Sequence, residues 1–109
     1  MYVERWTEPT RPSEDEVKKA IVATGLAAMR WEGEPGKSWT PHRHGREKTL
    51  WCAAGDIIFH TTDGLIELYP GDKMVLPAGT VHGADAGEQG VVCYEYPPTH
   101  ENTKTEAEL

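Results

Sequence analysis

The chain is 109 residues long, 38% apolar and 27% charged, with 18 acidic against 11 basic residues and a formal charge of −7. That length suits one domain with a single core, and an acidic chain whose Lys and Arg are scattered is a poor partner for a phosphate backbone, so no nucleic-acid binding is expected. No stretch approaches the roughly 20 apolar residues of a bilayer span, and Glu4, Arg5 and Glu8 leave no apolar signal-peptide core, so no membrane partner and a cytoplasmic location are expected.

Residues 1–12, with Pro9 and Pro12, form an extended lead-in. Ser13 stands three residues before Glu16, the capping-box spacing, and Glu14, Asp15 and Glu16 suit the positive end of a helix. Val17, Ala20, Ile21 and Ala28 give a short apolar stripe and Gly25 a stop, which predicts a helix over about 14–24. Leu26 to Trp31 suits a strand, ended by Gly33, Pro35 and Gly36. Beyond it, short strand-like runs fall at about 39–44, 48–53, 56–61, 65–69, 73–76, 81–84 and 90–96, with Asp63-Gly64 as a hairpin turn. Many short strands at near-regular spacing predict an all-β fold, an antiparallel sandwich or barrel. The expected organisation is an N-terminal arm and helix over 1–25, a barrel over 26–97 and a flexible polar tail over 98–109. Cys52 and Cys93 lie in apolar, strand-like surroundings and are expected as reduced, buried thiols.

The chemistry concentrates in Gly36-Lys37-Ser38-Trp39-Thr40-Pro41-His42-Arg43-His44 and, later, in Gly71-Asp72-Lys73-Met74-Val75-Leu76-Pro77-Ala78-Gly79-Thr80-Val81-His82. Alternate residues of a strand share a face, so His42 and His44 present two imidazoles together. Neutral imidazole is a ligand for Zn, Fe, Cu and Ni. His82 arrives after a Pro77–Gly79 turn and offers a third.

Here the chain resembles the cupins, small jelly-roll β-barrels whose first motif is G-x5-H-x-H-x3–4-E-x6-G and whose second is G-x5-P-x-G-x2-H-x3-N. Gly36, His42, His44 and Gly55 match the first in identity and spacing; Gly71, Pro77, Gly79 and His82 match the second. The resemblance covers about residues 26–96 and implies a single cupin barrel. It also implies a divalent transition metal (Fe, Mn, Ni, Co or Zn) on His42, His44 and His82, a small-molecule ligand or substrate, and a homodimer. Two positions depart from the pattern. Lys48 stands at the glutamate slot, with Thr49 after it and Glu47 one residue early, and Ala86 replaces the asparagine.

An ammonium about 5 Å from a divalent cation is repelled by roughly 6–7 kcal/mol at an effective dielectric of 20. Lys48 is therefore neutral there, or swings away, or no metal is normally held, or Glu47 bends inward as a fourth ligand. Lys48 is also a candidate catalytic base or anion anchor; its bland alternative is a rim lysine with its stem on Trp51 or Trp39. By alternation Cys52 shares the inward register of Leu50 and Lys48. Trp51, Tyr94 and Tyr96 then point outward, where they suit an interface. His60 and His100 match no motif.

The leading expectation is a metal-dependent enzyme with dioxygenase- or isomerase-like chemistry on a small molecule. The alternative is a non-catalytic small-ligand-binding or sensing module, metal-free or not. Such modules are usually fused to a DNA-binding domain, and these residues carry none, which tilts the expectation toward the enzyme. A metal-free vestigial barrel is a third reading.

Overall fold

A computed structural model describes residues 1–98; the tail expected over 98–109, with His100, lies almost wholly outside the described residues. The elements are β1 (Tyr2–Glu4), α1 (Glu14–Ala23), β2 (Met29–Gly33), β3 (Ser38–His42), β4 (Lys48–Thr61), β5 (Gly64–Leu68), β6 (Lys73–Leu76) and β7 (His82–Tyr96). All strand pairs are antiparallel, in a 7-stranded sheet of order β1-β6-β4-β7-β2, with β3 on β7 and β5 on β4. The all-β jelly roll with one short helix is as expected.

The helix forms where its cap directs. The Ser13 hydroxyl accepts from the Glu16 N–H, and the Glu16 carboxylate accepts from the Ser13 N–H, so two otherwise unpaired donors are satisfied together. Val17 and Ile21, one turn apart, are its buried residues and pack with Ala53 and Tyr94, flanked by Trp51 and Val92. This corrects the expectation for the outer aromatic face. Tyr94 does point away from the barrel interior, but the helix of the same chain covers it, and its hydroxyl donates to Glu14. Less of that face is left for a second copy.

The N-terminal lead-in is also part of the sheet, since Tyr2–Glu4 pairs with Lys73–Val75. Beyond it, Asp72 is fully buried and ties the arm down. Its carboxylate accepts from the backbone N–H groups of Trp6 and Tyr69 and from the guanidinium groups of Arg5 and Arg11. Burial pushes the Asp72 carboxyl up, but these donors outweigh it and the pKa is lowered, as charge-assisted bonds to the ionised form require.

Two runs read as separate strands on each of β4 and β7 are single long strands of 14 and 15 residues. Their pairing slips between Cys52 and Ala54 and again between Gly55 and Ile57, the signature of bulges that bend a strand without ending it. Gly55 sits at φ +68°, and a Cβ there would strike the Gly90 carbonyl, so the bend needs glycine. Bending wraps the sheet around a core of Trp31, Leu50, Cys52, Ile57, Phe59, Leu68, Met74, Leu76, Ala84, Val91 and Cys93. Full burial of a Leu, Ile or Phe side chain contributes about 1.5–3 kcal/mol. Cys52 and Cys93 are register partners and free buried thiols; burial, first of all, pushes the Cys93 thiol up.

Candidate metal centre

Three histidines reach one point at the end of the barrel. His42 closes β3, His82 opens β7, and the two are register partners. His44 lies just past β3, held where its carbonyl accepts from the Gly79 N–H of the Pro77–Gly79 turn. The two sequence motifs are thus bonded to each other by backbone. The ring centroids are 5.1 Å (His42–His44), 4.6 Å (His42–His82) and 5.4 Å (His44–His82) apart. One nitrogen from each ring lies within 4.8 Å of the others. Two imidazole nitrogens on one ion sit at most about 4.2 Å apart, twice a bond of about 2.1 Å, so only a small closing movement separates this arrangement from a ligand set.

The hydrogen bonds choose which nitrogen faces inward. His42 Nδ1 donates to the Thr40 carbonyl and His82 Nδ1 to the Thr80 carbonyl, both at 2.9 Å. A carbonyl only accepts, so each of these two rings carries a proton on Nδ1, and Nε2 is the nitrogen turned to the cluster. Buried Nε2 atoms of His44 and His82 have no hydrogen-bond partner. Burial, then the charges of Lys48, His42 and His82, bring the His44 pKa down to about 4, so its ring is neutral near pH 7. Neutral, inward-facing imidazole nitrogen without a donor is what a transition-metal ion binds; the donor set fits such an ion.

The departures from the motif resolve in register. Lys48, at the glutamate slot, is buried and inward, and Glu47 is exposed and outside the cluster. The rim placement of Lys48 on Trp51 or Trp39 is corrected: its ammonium donates to the Glu95 carboxylate and to the Pro97 carbonyl, each at 2.8 Å. Trp31 Nε1 donates to the other Glu95 oxygen at 3.1 Å. Glu95 is wholly buried, and truncating one partner of such a pair costs about 3–5 kcal/mol because a buried charge is stranded. Sequence reasoning missed Glu95 and Trp31. The only signal was alternation, which puts Glu95 on the face of Cys93, a charged residue in an inward register.

Away from the cluster, His60 is half-exposed and its Nε2 lies 2.6 Å from Asp85, which also accepts from Ser38. A groove of about 1050 Å³ runs along β2 and the turn after it, lined by Arg30, Glu32, Lys37 and Gln89 among others, and holds none of the histidines. Volume and chemistry part company here, since the cluster that could hold a metal ion lies outside this groove.

No protein-family model and no curated protein matches the sequence. Solved structures do. The chain is similar to KdgF from Halomonas sp. at 29% identity, over 64% of this chain and 67% of that one, with a TM-score of 0.55. A cupin superfamily protein from Desulfitobacterium hafniense aligns at 15% identity over 86% and 72%, TM-score 0.58. The fold is that of a small cupin. A DUF861 family protein from Thermotoga maritima, at 18% identity over 86% and 94% with a TM-score of 0.59, shares the same cupin barrel.

Proposed function

We propose that this cupin is a metal-dependent enzyme acting on a small molecule, with one divalent transition-metal ion (Fe, Mn, Ni, Co or Zn) on His42, His44 and His82. One observation carries the reading: the buried Nε2 atoms of His44 and His82 have no partner. An unsatisfied buried polar atom costs about 1–3 kcal/mol, and a site keeps such atoms when something else satisfies them. A bound ion there would supply Lewis-acid or redox chemistry. The chain's own part is to hold it. The Thr40 and Thr80 carbonyls fix two rings, Phe59 packs 6.3 Å from the His82 ring and helps keep the wall apolar, and Ala86 adds no fourth donor.

A second reading, a ligand-binding module without catalysis, is favoured by Lys48. It is clamped between Glu95 and the Pro97 carbonyl, which makes it a poor general base. Metal analysis of protein purified without an affinity tag tests the shared premise. About one ion per chain is expected in the wild type, and a tenth of that or less in His82→Ala; equal and negligible content in both contradicts it. With metal present, oxygen uptake in the presence of thiols or diketones supports the dioxygenase branch, and no uptake removes that branch.

A further inference from the structure

The charge balance around the cluster points to the class of ligand. Among the described residues all three donors are imidazoles, so these ligands bring no negative charge to a divalent ion. Carboxylates lie near in sequence or space, yet among the described residues each is engaged or turned away. Glu47 and Asp63 are exposed, Asp85 accepts from Ser38 and His60, and Glu95 is held by Lys48 and Trp31. The Lys48–Glu95 pair adds no net charge wherever its proton sits. The segment that carries two of the histidines, His42 to Lys48, is itself basic: Arg43 and Arg46 are exposed and, among the described residues, form no ion pair. This is a local excess of positive charge on a chain of net charge −7.

A divalent charge in a half-buried site without a carboxylate is costly until an anion accompanies it. We propose that the small molecule taken by this site is an organic anion, with a carboxylate supplying the counter-charge that the described residues withhold, and with Arg43 and Arg46, exposed on the segment that carries two of the histidines, raising its local concentration. The glutamate-to-lysine change at position 48 then has a purpose. A carboxylate in that slot would neutralise the ion and compete with the ligand; Lys48, tied to Glu95, removes it without leaving a naked ammonium beside the ion. The inference rests on the metal reading above and specifies the ligand for the same site. Rim attraction of this kind is long-ranged and falls with salt.

The experiment uses the full chain loaded with cobalt(II), whose visible spectrum reports the site, titrated with malonate and with its neutral analogue malonamide. A saturable spectral change with malonate, at least tenfold weaker with malonamide, is expected. In Arg43→Gln/Arg46→Gln, at two exposed positions, cobalt should bind as in the wild type while malonate affinity falls about three- to tenfold and loses much of its salt dependence. The exchange Lys48→Glu/Glu95→Lys keeps the buried pair but turns the carboxylate to the cluster side; it should tighten cobalt binding and weaken malonate at least tenfold. If that exchange does not fold, the arginine variant still decides. Stoichiometric cobalt with no saturable malonate response, or equal responses to malonate and malonamide, overturns the anion proposal and leaves the metal reading standing. Failure to bind cobalt overturns both.

Discussion

Two buried polar centres in this barrel are built on opposite principles. Around Asp72 both carboxylate oxygens accept two hydrogen bonds each, from two backbone N–H groups and two arginines. At the histidine cluster two wholly buried nitrogens have none. The first is closed and holds an N-terminal arm against the sheet; the second is left open although the surrounding fold is tight. A buried polar group that is fully paired holds the fold, and one buried unpaired calls for a further partner, a water or an ion.

The contrast can be broken most forcefully at Asp72. Asp72→Ala strands two backbone donors and releases two half-exposed arginines to water, and should lower stability by about 2–4 kcal/mol, read from denaturant midpoints. The same carboxylate gives the contrast a pH dependence. Its folded pKa lies below the ordinary aspartate value of about 3.9, through donors that outweigh burial. Below that value the unfolded chain binds the proton more readily. The stabilisation is therefore complete above about pH 4 to 5 and lost as pH falls through the folded pKa. In Asp72→Asn the acid limb of the stability curve should flatten; an unchanged limb would assign acid sensitivity to other carboxylates.

At the open centre the expected signs differ. His44→Leu removes an unpaired buried nitrogen, so the metal-free variant should be as stable as the wild type or more so. What it should lose is the stabilisation by added metal, about 2.7 kcal/mol at a hundredfold excess over Kd. Calorimetry with and without zinc reads both. A smaller effect sharpens the comparison from the closed side. Ser13→Ala removes one half of a reciprocal cap and should cost about 1 kcal/mol, with no influence on metal binding.

Much of this was legible along the chain because it is written in short-range chemistry. The capping box set the helix at Glu14–Ala23 against the expected 14–24, and alternation placed Lys48, Leu50 and Cys52 on one buried face. What escaped depends on partners far away in sequence. Glu95 is 47 residues from Lys48, and no local pattern tells a lysine that will snorkel from one that will meet a buried carboxylate. The long β4 and β7 read as broken because the bulge at Ala53, the extra residues 87–90 of β7 and the glycine at 55 interrupt the period without interrupting the strand. Trp51 and Tyr94 read as exposed because alternation gives the face of a side chain, not what lies on it; α1 covers theirs.

The most direct test of the open centre is nitrogen NMR of the histidine rings during zinc addition. One equivalent of zinc should move the Nε2 resonances of His42, His44 and His82 together, while the Nδ1 protons of His42 and His82 stay bonded to Thr40 and Thr80. Unmoved Nε2 resonances, or zinc at Nδ1 with those two bonds broken, would contradict a centre built to receive a metal ion.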